Sequence, residues 1–241
     1  GGEYNELEEA RTVARRFGTD HHEIMMDPVQ AQELLPKLIW HLDEPLADRA
    51  FLPTFLICRF AREKVKVVLA GEGGDEFFAG YPRYAWFRAG ERLSKRVPEA
   101  IRTAAIRLAG VAAGERVQRY TSLVLADLSP ADRHLAWVGN FVSDAKLALW
   151  GPALERGPRR DAARELAAAF LPAGKDGSLL HRLMYLDIKT WLVDDILHKV
   201  DKMSMATSLE ARVPLLDHKL VEFVATLPAA IKLPGFQTKR L

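Results

Sequence analysis

KVKVVLAGEGGDEFFAGYPRY, residues 64–84, decides how the rest of the chain is read. Val65, Val67, Val68, Leu69 and Ala70 form a nearly continuous apolar run, which predicts a short strand buried on both faces. Strands of that kind belong to parallel α/β sheets, whose ligands bind just beyond the carboxyl ends of the strands. Gly71, Gly73 and Gly74 then allow a sharp turn and a close approach of backbone to ligand. Glu72, Asp75 and Glu76 crowd three carboxylates into that turn, a crowding that a cation or a positively charged substrate would relieve. The pattern predicts a metal–nucleotide site, although a glycine-rich turn after a strand is also a common plain connection. A dinucleotide fingerprint is excluded, because Glu76 stands where its third glycine belongs, and so is a Walker loop, because no Gly-Lys-Ser/Thr follows.

Upstream, Leu7, Ala10, Val13, Ala14 and Phe17 recur at helical spacing, and Gly18 ends that helix as a C-cap glycine does. His21 to Met26 reads as a short strand. Its His-His-Glu cluster invites a metal reading, but the spacing is not that of a zinc site and no partner ligands stand out. Asp27 and Pro28 open a helix to about Leu42. Asp43-Glu44-Pro45 and Asp48-Arg49 form a polar loop. Leu52 to Glu63 is the helix that leads into the organising strand.

Downstream, residues from Tyr84 to about Pro172 read as alanine- and arginine-rich helices. They are broken at Pro98, Gly110, Gly114, Pro130, Gly139, Gly151, Pro152 and Gly157-Pro158. Nine Arg/Lys face three Glu between Arg83 and Arg119. An RNA-binding stripe needs aromatic platforms among such arginines, and none interleaves, so a solvated basic face is the better account. Residues 85–172 are read as a helical insertion on the α/β core, with the clearest loop at Ala173 to Gly177. Leu179 to about Ala206 is helical again, with an apolar stripe of Val193, Ile196, Leu197, Val200 and Met203. Asp195, Lys199 and Lys202 share another face, which is either solvated or built to meet phosphates and a carboxylate. Pro214 biases Val213 toward an extended conformation. Asp217 caps a final helix, and Ile231 to Gly235 is a turn. A helix is expected to start near Lys239, where the dipole disfavours a lysine unless an anion is bound.

With 241 residues, 49% hydrophobic and 27% charged, the chain can bury one large core. A net charge of +2 gives no global drive toward nucleic acid. The single cysteine, Cys58, rules out an internal disulfide and fits a reducing, cytoplasmic compartment. It sits in an apolar pattern, as a small core residue rather than a nucleophile. There is no 18-residue apolar run, so no membrane span is expected. The start at Gly1-Gly2 suggests a piece of a longer polypeptide.

GEGGDEFFAGYPRY (71–84), HLDEPLADRAFLPTF (41–55) and DKMSMATSLEARVPLLDHKLVEF (201–223) together resemble the synthetase domain of glutamine-dependent asparagine synthetases. The resemblance covers nearly the whole chain. It implies an α/β fold with a parallel sheet of the adenine-nucleotide alpha-hydrolase, or ATP-pyrophosphatase, type. That sheet would be incomplete at its N-terminus and carry the large helical insertion. It also implies ATP and Mg2+ as cofactors, with aspartate as acceptor and ammonia delivered from glutamine by an N-terminal glutaminase domain absent here. A homodimer is left open. By resemblance, Asp75 binds magnesium, Glu72 steers or deprotonates the amine, and Gly71 brings its backbone to AMP. Lys239 holds pyrophosphate, and Gly73, Lys199, Lys202 and Arg212 lie in the matching nucleotide-binding blocks. Arg212 is equally suited to pair with Glu210 or Asp217. The family's Ser-Gly-Gly-x-Asp-Ser pyrophosphate loop is not in these 241 residues, so the isolated chain is expected to have little synthetase activity. The alternatives are an amidotransferase or lactam-forming enzyme acting on another carboxylate, and a non-catalytic nucleotide-binding module. The lactam-forming relatives carry tyrosine where Glu72 stands, which leans this chain toward external ammonia.

Overall fold

The computed structural model describes residues 7–139, 149, 151, 161–171 and 178–239. Helix α1, Leu7–Phe17, stops at Gly18 with φ +61°, a left-handed position that glycine takes without a Cβ penalty. Residues 19–27 have no regular structure, so the strand expected at His21 to Met26 does not form. A strand needs a neighbour for its backbone groups, and here side chains anchor the segment instead. Arg11 donates Nε to Glu23 at 2.7 Å, and His21 Nε2 lies 3.1 Å from the same carboxylate.

Helix α2, Pro28–Leu42, opens as expected, with Asp27 accepting from the Val29 amide. Helix α3, Phe51–Arg62, leads to strand β1, Val67–Leu69. Helix α4, Gly74–Phe77, is a single turn, and α5, Pro82–Arg96, follows it. Helix α6, Glu99–Leu125, is kinked at Gly114, φ +83°, while Gly110 stays helical. Helix α7, Pro130–Val138, starts on Ser129 and ends at Gly139. Helix α8 is Ala162–Phe170 and α9 is Leu179–Lys189. The breaks expected at Pro152 and Gly157-Pro158 and the loop at Ala173 to Gly177 lie outside the described residues. A π-helical turn, Leu192–Leu197, then runs into α10, His198–Met205. Its wider turn rotates the apolar face, so Leu192 is buried and Val193 is not.

Strand β2, Glu210–Arg212, pairs in parallel with β1, Val67 opposite Glu210 and Leu69 opposite Arg212. The sequence reading placed only an extended residue here, at Val213. With one neighbouring strand, β1 is not buried on both faces as expected. Val68 is half-buried, while Leu69 is 73% exposed. After a 3-10 turn at Pro214–Leu216 come α11, His218–Thr226, capped by Asp217, and the short α12, Ala229–Lys232. Two residues of the turn expected at 231–235 therefore close a helix.

Three apolar clusters tie this together. Leu38, Leu42, Phe55, Leu56 and Met203 join α2, α3 and α10. Phe77, Leu192 and Val224 join α4, the π turn and α11. The largest holds Tyr84, Phe87, Leu180, Leu183, Leu186 and Leu233. Some of the arginines between 83 and 133 act as internal donors. Buried Arg102 bonds the Leu125 carbonyl at 3.3 Å, and buried Arg133 bonds the Ala126 carbonyl at 2.9 Å. Such donors offset the carbonyls left open at a helix end. Among the described residues no helix is long and apolar enough to cross a membrane.

Candidate functional site

The β-sheet ends in a turn built for close approach. The Ala70 amide donates to the Arg212 carbonyl at 2.8 Å, which holds the two strand ends together as the chain enters Gly71. Gly71 is exposed and a side chain there would meet nothing within 4 Å. Gly73 takes φ +90° at the start of α4, and its missing side chain leaves room for Leu216. Gly74 closes the turn onto the Gly71 carbonyl at 3.3 Å.

Within this turn the three carboxylates separate. Asp75 is partly exposed, whereas Glu76 is 1% exposed and accepts from the Tyr81 hydroxyl at 2.5 Å. Successive residues of a helical turn point about 100° apart, so the two cannot share one face. Burial pushes the Glu76 carboxyl above the usual range, and the Tyr81 bond opposes that rise. The carboxylate cluster expected from the sequence is thus reduced to Glu72 and Asp75. Glu72 is half-buried, and its Oε2 is buried with no hydrogen-bond partner among the described residues. Beside it the Cys58 thiol is pushed up, mainly by burial and further by the charge of Glu72. That agrees with Cys58 as a core residue.

Lys239 arrives at this turn from the far end of the chain. Its Nζ lies 3.5 Å from Asp75 Oδ1, and its backbone adopts φ +56° in a bend; the helix expected to start near it falls outside the described residues. Lys199 and Lys202 do not stand free. Lys199 Nζ donates to Asp48 at 2.5 Å and Lys202 Nζ to Asp43 at 2.5 Å. His198 Nε2 lies 3.4 Å from Glu44. The polar loop at 43–48 is therefore tied to α10 by two lysine–aspartate hydrogen bonds, with His198 close to Glu44 but not hydrogen-bonded to it. The hydrogen bond and charge of Asp43 raise the Lys202 ammonium above its ordinary value, and Lys202 lowers Asp43 in return. Asp195 forms no part of that ladder. It is half-buried with an unpartnered Oδ2, and its carboxyl is pushed up to about 6, first by burial and then by the charge of Asp48. Arg212 pairs with Glu210 at 2.7 Å on the exposed edge of β2, one of the two pairings the sequence left open.

Sequence reasoning did not single out Tyr81, which anchors Glu76, or Asp187. Asp187 is fully buried in α9, accepts from Arg83 at 2.9 Å and from the Tyr84 hydroxyl, and lies 3.3 Å from His134 Nε2. The signal was the aromatic and basic run Tyr81 to Tyr84 directly after the acidic turn. Among the described residues no group of three or more His, Cys, Asp or Glu is arranged to hold a metal ion, and His21, His22 and Glu23 form no such centre.

The asparagine synthase family matches over residues 1–241. An asparagine synthetase [glutamine-hydrolyzing] 1 of Bacillus subtilis is 31% identical over 246 residues, covering 99% of this chain and 37% of that protein. A putative asparagine synthetase [glutamine-hydrolyzing] of Mycobacterium tuberculosis is 34% identical over 251 residues, covering 98% of this chain and 35% of that protein. Amidase chyE of Penicillium rubens is 28% identical over 252 residues, covering 93% of this chain and 35% of that protein. The chain thus spans about a third of the length of these relatives. The match of the whole chain, joined to the acidic turn at the end of the β1–β2 pair, places it in the asparagine synthase family.

Proposed function

We propose that the polypeptide carrying this chain makes an amide in an ATP-dependent reaction, with the side-chain carboxylate of aspartate as acceptor and glutamine-derived ammonia as nucleophile. The observation that carries this reading is the meeting of Asp75 and Lys239 at the turn that also holds Glu72. The carboxylate oxygen of the acceptor attacks the α-phosphorus of ATP, and the bond to pyrophosphate breaks. Ammonia then attacks the acyl carbon, AMP leaves with the bonding electrons, and the nitrogen gives up a proton.

Each residue has a chemical part in that sequence. The Lys239 ammonium, 65% exposed, is free to turn to the anionic leaving group and offset its charge. Glu72 carries a buried, unpartnered oxygen, suited to accept a hydrogen bond from the amine and its proton as the C–N bond forms. The exposed backbone at Gly71 admits a nucleotide closely, while Gly73, buried against Leu216, shapes the turn that presents it. Lys199 and Lys202 act through the 43–48 loop that they hold in place, and Arg212 stays on the sheet edge. A magnesium ion fits the donor set, because one accessible carboxylate, Asp75, is what such an ion takes when phosphate oxygens and water complete its shell. Bound there, it would neutralise phosphate charge.

Aspartate-dependent exchange of pyrophosphate into ATP by the full-length protein tests the reading. Exchange that depends on aspartate, and falls at least about a hundredfold in Asp75→Asn, supports it. Aspartate-independent behaviour removes the acceptor. The 241-residue chain alone is expected to show no exchange. The likeness to amidase chyE favours a second reading, in which the same chemistry serves another carboxylate. A panel of carboxylic acids in that assay separates the two.

A further inference from the structure

The turn after α4 holds a glycine in the wrong place for its backbone. The Gly80 amide donates to the Asp75 carbonyl at 2.9 Å, the bond that closes a helix in a Schellman motif. In that motif the left-handed residue, the usual glycine, is the one before. Here that residue is Ala79, with φ +56° and a fully buried methyl. Gly80 is not among the positive-φ residues, so nothing in its own conformation excludes a side chain. What excludes one is Asp75. A Cβ at residue 80 would stand 2.8 Å from Asp75 Cγ and 3.0 Å from its Cα, and closer still to Oδ1. The usual partner of the third-last helical residue in this motif is an apolar side chain. In this chain the pair is a carboxylate and an empty space.

We infer that Gly80 is a positioning residue for the Asp75 carboxylate: the missing side chain lets that carboxylate fold back over the turn, within reach of Lys239. A methyl group at 80 turns the carboxylate away, and the turn also gives by a few tenths of an ångström to relieve the 3.0 Å approach to the Asp75 Cα. The inference rests on the reading of Asp75 as the metal-binding carboxylate, and it names a further residue that the same site requires.

The test uses Mn2+ as the probe, with free ion followed by electron paramagnetic resonance, in the full-length protein with and without ATP. Gly80→Ala is expected to weaken Mn2+ binding about tenfold, as loss of a supporting contact to a ligand does, and Asp75→Asn to weaken it at least as much. Ala79→Gly, which relaxes the positive φ and adds no atom near Asp75, leaves it unchanged. A crystal structure of Gly80→Ala should show the Asp75 carboxylate in a different rotamer. An unmoved carboxylate overturns the proposal whatever the ion does. A moved carboxylate with Mn2+ affinity lost in Asp75→Asn but kept in Gly80→Ala also overturns it. If Asp75→Asn leaves Mn2+ binding intact, the metal reading fails, and the rotamer still decides whether Gly80 positions the carboxylate. Should Gly80→Ala fold poorly, it is repeated with Asp75→Ala. Recovery of a cooperative melt in that double variant supports the clash, and equal damage in both backgrounds refutes it.

Discussion

The ammonium of Lys239, the last described residue of the chain, stands 3.5 Å from Asp75 Oδ1 in the turn after β1. Both side chains are accessible, so the pair contributes less than about 1 kcal/mol to folding. Its importance is competition. On the proposed function, a lysine on the carboxylate occupies the place that a divalent cation would take, and phosphates would draw it away as a second anion. Lys239→Ala is therefore expected to tighten Mn2+ binding about threefold without nucleotide, a Coulomb effect of well under 1 kcal/mol. The same variant slows pyrophosphate release by about a hundredfold or more, because charge on the leaving group is no longer offset. Metal titration and a release assay on one preparation check both arms, and an unchanged melting temperature shows that neither arises from unfolding.

The two lysines of α10 are expected to differ in what they contribute. The Lys199 and Asp48 side chains are 11% and 20% exposed, while Asp43, the partner of Lys202, is 74% exposed. Removing one member of a largely buried pair leaves the other charge unpaired. Lys199→Ala is expected to lower stability by about 2–3 kcal/mol, and Lys202→Ala by less than about 1 kcal/mol. Urea unfolding of the two variants compares them. Equal losses would show that the 43–48 loop is held by something other than the Lys199–Asp48 pair.

Asp187 presents a stronger case of the same principle. It has no exposed surface, and Arg83, its guanidinium partner, is only 12% exposed. Burial is the largest single influence on Arg83 and would lower its pKa, but the charge and hydrogen bond of Asp187, with Tyr84 and Tyr81, together outweigh it, so the guanidinium ends above its ordinary value. Asp187→Ala removes that compensation and is expected to cost about 3–5 kcal/mol. Tyr84→Phe removes one hydrogen bond to the carboxylate and is expected to cost about 1–3 kcal/mol. Thermal melts of the two variants should keep that order.

Helix starts and stops were legible from local chemistry. Asp27, Asp217 and Gly18 each act on backbone groups within a few residues, and each cap stands where the sequence placed it. Strands were less legible, because a strand is defined by a partner distant in sequence. The apolar run before Gly71 announced β1 but not how little would cover it, and nothing local in Glu210-Ala211-Arg212 announced β2. At the site, Asp75 and Lys239 were named from motif position, and their proximity needed the fold. The fate of Glu76 was illegible, because its spacing is that of a ligand and only the Tyr81 hydroxyl reveals it as a buried anchor. The expected stripe holds at Ile196, Leu197, Val200 and Met203 and departs at Val193, where Leu192 is buried instead, because the period of a π turn differs from that of an α-helix.

Asp195 makes stability depend on pH in a direction opposite to that of most carboxylates. Its folded pKa is about 6 against an ordinary 3.8, raised by burial and the Asp48 charge and only partly countered by Lys199 and His198. A carboxyl whose folded value is raised binds its proton more tightly in the native state. Its ionisation therefore penalises folding above pH ~6, and the penalty fades as pH falls from ~6 toward ~4. The group is about half exposed, so solvent screening reduces the full shift to about 1 kcal/mol. Asp195→Asn, which cannot ionise, is expected to unfold at higher urea than the parent at pH 8, with the advantage shrinking through pH 6 and vanishing near pH 4. A constant advantage across that range would show that the gain comes from packing or hydrogen bonding at the π turn and not from relief of the charge.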